Sequence, residues 1–285
     1  IGKNMNNTSA STYKLAIPEH TDINYNPGTG LVVFHVIILI ILCLVAITGN
    51  AVVINVVLRD RRLHMPTFYF IVNLAVADIL TSAIYIPFYI VAIVKQLWVL
   101  GTPFCKAHVF LISLGFNASL ITLSFISFDR FLDIVFPLLY PIKMTSRRMR
   151  ILVVFGWVHS IWWALGPLFK WGDYRFDTQS NTCRPKYDAE GWVNKSYAVC
   201  LVTICFVVPI LVMVYCYARI FTVVEKHVKD IEQMSCSLAS VASIASIDSS
   251  PRHDITPEVR KPKEIRAHKM ILLIIVIFFI CWAMP

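Results

Sequence analysis

A 19-residue stretch without a charged side chain or a histidine, 110–128, limits what this chain can fold into. It is nearly long enough to cross a membrane as a helix, which takes ~20 apolar residues. The pair Asp129–Arg130 ends the stretch, and Pro137 follows within two turns. Because a charge at the centre of a bilayer costs roughly 2.5–3.5 kcal/mol on insertion scales, the pair marks the edge of a span. From these residues alone, the pair either caps the span or has a function there.

The composition of the whole chain agrees with a membrane protein. Of its 285 residues, 57% are hydrophobic and 15% are charged, and the mean hydropathy is +0.67, whereas soluble domains carry roughly 25% charged residues. We therefore interpret the net charge of +9 as a signal of membrane topology and not of a nucleic-acid partner. The composition predicts an all-α integral membrane protein in a lipid bilayer.

Further apolar segments divide the chain into spans and loops. A polar tail, 1–30, precedes five spans within 31–225, and a Ser-rich stretch, 226–263, precedes a sixth apolar run, 264–285. The Ser-rich stretch is either a flexible spacer or a phosphorylation segment. We expect the sixth span to be cut short by the end of this sequence, with a seventh span and a tail beyond it. The first, second, fourth and fifth spans are predicted at about 31–58, 67–94, 151–169 and 196–218.

The positive charges predict how the spans are oriented. Lys and Arg concentrate at 59–62, 143–150 and 226–269, after the first, third and fifth spans. By the positive-inside rule these segments face the cytoplasm, and the Ser-rich stretch becomes the third intracellular loop. The N-terminal tail is then extracellular. The glycosylation sequons fall on the same side, at Asn6, Asn7 and Asn194.

The same orientation leaves two cysteines in extracellular loops, Cys105 before the third span and Cys183 after the fourth. Because the extracellular side is oxidising, we expect them to form a disulfide. The alternation of Tyr174 and Phe176 in the second of these loops predicts a short strand or hairpin.

One acid lies deep within a span. Asp78 is the only charged residue of the second span, and an intramembrane carboxylate is a functional-site hypothesis by default. The alternative is a protonated side chain that only hydrogen-bonds its neighbours.

From about residue 31 onward, a series of motifs in order resembles the rhodopsin-like (class A) G-protein-coupled receptors. The resemblance implies a seven-transmembrane helix bundle in the plasma membrane. The sequence departs from the family pattern at Phe131, which replaces a Tyr, at Asp133, and at Pro285, which lies one residue too far from Trp282. The matching motifs are Gly49-Asn50, Asn73-Leu74-Ala75-Val76-Ala77-Asp78, Cys105 with Cys183, Asp129-Arg130-Phe131, Pro137-Leu138, Trp157, Pro209, Tyr217 and Phe278-x-x-Cys281-Trp282.

The resemblance implies a receptor that activates a heterotrimeric G protein, with arrestin and receptor kinases as further partners. In the resting state Arg130 is expected to pair with Asp129 and with Glu264 on the sixth span. Outward movement of the sixth helix is expected to break this contact, and Leu138 to be an apolar contact for the G protein. The residues implied in coupling and switching are Asp129, Arg130, Phe131, Leu138, Tyr217 and Glu264.

The resemblance also implies a site for an extracellular ligand between the outer halves of the spans. Its candidate residues are His108, Ile112, Phe116, Leu201, Val202, Cys205 and Trp282. The first three share one face of the third span by their spacing, and the residues of the fifth span are expected to face them. Each residue taken singly is equally compatible with core packing. Amine receptors carry an Asp where this chain has Ile112, so an ordinary monoamine is disfavoured and a peptide ligand stays open.

Two small partners follow from the same resemblance. A sodium ion is expected at Asp78 and Ser119, because hard cations prefer oxygen ligands. Retinal is expected only if the chain is an opsin-type photoreceptor, in which case the retinal-binding lysine would lie on the seventh span. Asp177, six residues before Cys183, stands where some opsins carry an acid.

Other classes of protein fit the residues less well. A transporter or channel would need more intramembrane polar residues or an internal repeat. An enzyme would need a catalytic set or a metal cluster, and His35, His108 and His159 lie on three spans without metal-ligand spacing. We therefore predict no catalytic residue and no transition metal. A non-signalling seven-span protein stays open because of Phe131 and Asp133.

Overall fold

The computed structural model describes residues 28–59, 67–177, 182–185 and 191–245. The sequons at Asn6 and Asn7, the predicted sixth span, Glu264 and Trp282 lie outside these ranges. The helices are α1 Thr29–Arg59, α2 Phe68–Lys95, α3 Gly101–Val135, α4 Tyr140–Lys143, α5 Ser146–Leu165, α6 Trp192–Leu201 and α7 Val208–Ala245. A 3-10 turn, Gly166–Phe169, extends α5, and a π-helical segment, Val202–Val207, joins α6 to α7.

The five predicted spans appear as long helices. Within the described ranges, five helical stretches are long and apolar enough to cross a membrane. They are α1, α2, α3, α5 with its 3-10 turn, and the stretch Trp192–Ser237 of α6 and α7. The third span ends at Val135, two residues before Pro137, because proline cannot donate the backbone hydrogen bond that continues a helix.

Helix α3 is the centre of the described bundle. It packs against α2, α5, α7 and the β-hairpin, whereas α1 packs mainly against α2. Several hydroxyls buried along α3 bond back to its own carbonyls, as in Thr122 to Ala118 at 2.6 Å and Ser127 to Leu123 at 2.8 Å. These bonds satisfy polar groups that would otherwise be costly away from water.

A chain of side-chain hydrogen bonds joins three helices. The indole Nε1 of Trp157 on α5 donates to Oδ1 of Asn73 on α2 at 2.7 Å. The Nδ2 of Asn73 donates in turn to Oγ1 of Thr122 on α3 at 2.8 Å. Such polar contacts between membrane helices fix their relative positions, because lipid offers the amide no other partner.

The loop after α5 forms the predicted hairpin. Strands β1 (Tyr174–Asp177) and β2 (Thr182–Pro185) pair antiparallel, with Phe176 opposite Cys183. Cys183 is bonded to Cys105 across a Cα–Cα distance of 5.6 Å, which confirms the predicted disulfide. One detail of the prediction was wrong: Cys105 lies within α3, because α3 already begins at Gly101.

Two boundaries at the other end of the chain also differ from the prediction. The fifth span begins at Trp192, so Asn194 lies in the first turn of α6. Helix α7 continues to Ala245, into the stretch for which a flexible spacer was one interpretation. Good helix formers support this extension, together with an ion pair between Glu225 and Lys229 at 2.8 Å, four residues apart on one helix face.

Candidate functional site

A buried carboxylate organises the end of α3 opposite to the disulfide. Asp129 is completely buried. Its Oδ2 accepts a hydrogen bond from the hydroxyl of Thr67 at 2.8 Å, and its Oδ1 accepts one from the hydroxyl of Tyr140 at 3.0 Å. Thr67 immediately precedes α2 and Tyr140 is the first residue of α4. Asp129 therefore ties three elements together.

Arg130 completes this arrangement with a second acid. Its guanidinium lies 3.0 Å from Oδ2 of Asp129 and 3.3 Å from Oδ2 of Asp133, and it donates to the hydroxyl of Thr67. Asp133, which departs from the family pattern, thus holds Arg130 from one turn further along α3. We call these five residues (Thr67, Asp129, Arg130, Asp133 and Tyr140) the Arg130 cluster.

The hydroxyl of Tyr140 remains a donor under all ordinary conditions. Tyr140 is 8% exposed. Burial, together with the nearby Asp129 carboxylate, raises the pKa of Tyr140 to about 12. The phenol is therefore protonated at physiological pH and can donate to the carboxylate.

Apolar side chains surround the Arg130 cluster on the side of α7. Phe131 is buried with Cys216 and Ile220, and its ring meets that of Phe136 edge-on at a centroid distance of 5.7 Å. Tyr217 packs against both this group and Leu123. Its hydroxyl is buried and lies near the side chain of Ser127.

Leu138 has a different environment from the rest of this region. It lies between α3 and α4 and is 87% exposed. It is thus available to a partner, whereas Phe131 is not.

The two candidate sodium ligands are in contact. The hydroxyl of Ser119 on α3 donates to Oδ1 of Asp78 on α2 at 2.9 Å. The pair supplies three oxygen atoms at one point between the helices, which is the type of ligand that a hard cation prefers.

At the disulfide end of α3, His108 lies among aromatic rings. Its ring centroid is 5.1 Å from that of Trp98, 5.4 Å from Phe88 and 6.2 Å from Tyr85. The side chain is buried, close to the backbone of Ile84 and Tyr85. His108 is therefore packed with residues of α2 and of the α2–α3 loop.

The other pocket candidates do not form one set with His108. Ile112 and Phe116 are half-buried on α3. Cys205 and Leu201 pack instead with Trp163 and Tyr197, which belong to α5 and α6. Val202 is 49% exposed.

The π-helical segment, Val202–Val207, continues the fifth span and packs against α3. Its wider turn inserts a residue relative to a regular α-helix and so rotates the side chains that follow. Regular helical spacing therefore does not give the direction of Cys205, and the expectation that Leu201, Val202 and Cys205 face the candidates of α3 stays a prediction.

Sequence reasoning missed two members of the Arg130 cluster. Thr67 and Tyr140 are 62 and 11 residues from Asp129 along the chain. Neither carries a charge or belongs to a motif that would have singled it out. The available signal was weak: a hydroxyl at the start of the second span and a tyrosine next to a proline in the loop after the third.

Comparison with known proteins identifies the family. The family model described as the 7 transmembrane receptor (rhodopsin family) matches residues 49–284. Among curated proteins, melanopsin of Felis catus is 30% identical over 94% of this chain and 50% of its own length. The G-protein coupled receptor 161 of Danio rerio is 31% identical over 68% of this chain and 36% of its own length. Rhodopsin of Sepia officinalis is 31% identical over 67% of this chain and 42% of its own length.

The chain thus spans half or less of the length of these relatives. A solved structure gives the same answer for the fold: squid rhodopsin superposes with a TM-score of 0.70 at 27% identity, over 87% of this chain and 64% of that one. Together with the five spans and the disulfide, these matches fix the family and the seven-transmembrane fold. The chain belongs to the rhodopsin-like family of seven-transmembrane receptors, which are multi-pass proteins of the plasma membrane.

Proposed function

We propose that this chain is a receptor that binds an extracellular ligand and responds by activating a heterotrimeric G protein. The observation that carries the proposal is the Arg130 cluster, in which one arginine is held by two carboxylates beside an exposed Leu138. Lys143, Arg147 and Arg148 lie at the same end of the bundle. By the positive-inside rule this end is cytoplasmic, and the N-terminus is extracellular.

In the resting state, Asp129 and Asp133 hold Arg130 against α3, and Tyr140 ties α4 to the same carboxylate. Glu264, outside the described residues, would add a contact from the sixth span. Outward movement of the sixth helix would release Arg130 and open a cleft beside Phe131 and Tyr217 for a G protein. A ligand drives this change only by binding the open state more tightly than the closed one.

The test measures G-protein dissociation in cells that express the receptor, without any added ligand, against a panel of G-protein classes. Arg130→Ala is expected to abolish the signal at equal surface expression, and Arg147→Ala, which removes an exposed cation nearby, to leave it unchanged. Glu264→Ala is expected to raise the signal. A receptor whose signal is the same in all these forms does not use Arg130 as a switch.

We further propose that Asp78 and Ser119 hold a sodium ion between α2 and α3. The support is the 2.9 Å contact between their oxygens. Sodium dependence of the agonist-free signal is the readout. Asp78→Asn is expected to abolish this dependence, and an unchanged dependence in the variant rejects the site.

An opsin-type photoreceptor is the second candidate, because cuttlefish rhodopsin and cat melanopsin are among the relatives. The apolar runs predicted as the first five spans contain no lysine, so these runs offer no attachment point for retinal. Asp177 is paired with Arg184 at 3.1 Å. Reconstitution with 11-cis-retinal separates the candidates: a visible absorption band favours the opsin, and its absence favours a diffusible ligand.

A further inference from the structure

An apolar groove lies between α3 and α5 on the outer surface of the bundle, at the end that the proposed function places in the cytoplasm. Phe128 and Leu132 of α3 form one side, and Ile151 and Leu152 of α5 form the other. Leu139, from the segment between α3 and α4, closes one end. The cavity has a volume of about 500 Å³, within the roughly 300–1,000 Å³ of typical small-molecule sites. We call it the inner groove.

The groove is apolar on its walls and open to the bilayer. Phe128, Leu139 and Ile151 are all well exposed. Leu138, next in the chain to Leu139, is not part of the lining. The groove therefore adjoins Leu138, the residue assigned above to the G protein, without including it.

Two cations stand at the rim of the inner groove, Lys143 and Arg148. Nη1 of Arg148 donates to the carbonyl oxygens of Ile142 at 2.9 Å and Lys143 at 3.0 Å, which fixes the guanidinium at the end of α4. Among the residues that the structure describes, no carboxylate pairs with either cation. Both charges are thus available to an anion.

The surface next to the groove is basic as well. Residues 134–150 contain four Lys or Arg and no Asp or Glu. Two of these, Arg147 and Arg150, line a second depression of about 310 Å³ that shares Ile151 with the inner groove. A ligand that suits this region needs an apolar part that fills the groove and an anionic part that meets the basic surface at the edge of the groove.

We propose that the inner groove binds an anionic phospholipid of the cytoplasmic leaflet, with one acyl chain along its walls and the headgroup phosphate at Lys143 and Arg148. Basic pockets between spans on the cytoplasmic side bind anionic headgroups. A sterol would fit the walls but offer the rim cations no anion. A zwitterionic lipid would bring a cationic group beside its phosphate, so its headgroup has no net charge to attract Lys143 and Arg148. The inference rests on the orientation given by the proposed function, and it does not depend on the ligand or on the G protein.

The experiment uses the full-length receptor in nanodiscs of phosphatidylcholine. A small fraction of the lipid is phosphatidylserine with a photoactivatable diazirine on one acyl chain, or phosphatidylcholine with the same label. Labelled residues are identified by mass spectrometry. The phosphatidylserine probe is expected to label the groove more strongly than the phosphatidylcholine probe, by roughly fivefold for each rim charge it contacts.

Two variants separate the charge from the cavity. Lys143→Gln is expected to lower phosphatidylserine labelling roughly fivefold and to leave phosphatidylcholine labelling unchanged. Ile151→Trp keeps both cations but fills the groove, and it is expected to remove labelling by both probes. Arg148 is left intact because it holds the end of α4. The matched control is Lys226→Gln, which removes an exposed cation from α7 at the same end of the bundle.

Equal labelling by the two probes would overturn the proposal, since it would show ordinary contact with bulk lipid. An equal loss in Lys226→Gln and Lys143→Gln would also overturn it, because the effect would then belong to general surface charge. Agonist-free G-protein activation is measured on the same preparation. Labelling without activation contradicts the coupling proposal alone, and activation without labelling contradicts the lipid site alone.

Discussion

Asp129 makes the contacts that join the end of α3 to α2 and α4. A buried carboxylate without partners is very costly, and removing one partner of a buried ion pair costs more than the pair contributes. Here Arg130, Thr67 and Tyr140 all satisfy its two oxygens. Loss of any one of these partners is therefore expected to lower the free energy of unfolding more than loss of an exposed residue of the same type.

The hydroxyl of Tyr140 gives a direct test of that expectation. Tyr140→Phe keeps the ring but leaves Oδ1 of Asp129 without the donor at 3.0 Å. We expect the free energy of unfolding to fall by about 1–3 kcal/mol, the cost of a buried unsatisfied acceptor, and the thermal midpoint of the receptor in detergent to fall with it. The control is Tyr215→Phe, at a tyrosine that is 59% exposed. Equal midpoints for the two variants would mean that the bond to Asp129 contributes little.

Asp133 is the acid that sets this chain apart from the family pattern, and its role is testable as well. Asp133→Asn removes one of the two carboxylates that hold Arg130, at 3.3 Å. Because a partly exposed ion pair contributes about 0–1 kcal/mol, we expect agonist-free signalling to rise by up to roughly fivefold. Asp230→Asn, at an exposed acid of α7, controls for the change in net charge. A rise in both variants, or in neither, counts against a specific role for Asp133.

Among the larger elements, the hairpin is fixed to α3, and α6 is fixed to α5 and to the loop before the hairpin. The disulfide closes a stretch of 78 residues between α3 and β2. Tyr197 of α6 donates to the carbonyl oxygen of Trp163, and Trp171 meets the Tyr197 ring edge-on at a centroid distance of 5.5 Å. The loop before the hairpin therefore runs directly over an aromatic side chain of the next span.

Gly172 in that loop is expected to tolerate no side chain. Its φ of +101° suits glycine, and a Cβ there would lie 2.7 Å from the Tyr197 ring. Gly191→Ala is the matched control, because Gly191 has a φ of +113° but open space around it. Backbone strain of about 1–3 kcal/mol applies to both variants, so the thermal midpoint of Gly172→Ala is expected to be the lower one. Equal midpoints would show that the loop moves away from Tyr197 at little cost.

The elements themselves follow from the sequence to a large extent. Uninterrupted apolar runs predict the first, second and fourth spans to within five residues, because lipid demands helices of a set length. The third and fifth helices extend further than their apolar runs, because a helix can continue beyond the membrane. The pairing of Cys105 with Cys183 follows from topology alone. The π-helical segment before Pro209 could not be predicted from the sequence, since hydrophobic periodicity does not distinguish one π-helical turn from regular α-helix. For the same reason, regular helical spacing did not predict that Cys205 packs with Trp163 and Tyr197.

For the whole molecule, motifs predict where the site lies but not how it is held. Asp129 and Arg130 stand out as a charged pair at the end of an apolar run. Thr67 and Tyr140 become partners of Asp129 only when α2, α3 and α4 pack together. A single sequence without an alignment does not reveal such contacts between distant residues. The bond from Trp157 to Asn73, across 84 residues, was missed for the same reason.

The central claim is that the Arg130 cluster holds the receptor in its resting state. The most direct test is agonist-free G-protein activation by Asp129→Asn, compared with the unmodified receptor at equal surface expression. Asn keeps the size of the side chain and can still accept a hydrogen bond, but it has no charge to hold Arg130. We predict a rise of roughly fivefold or more, since the buried pair should exceed the ~1 kcal/mol of an exposed one. Unchanged or lower activation across all G-protein classes would contradict the claim.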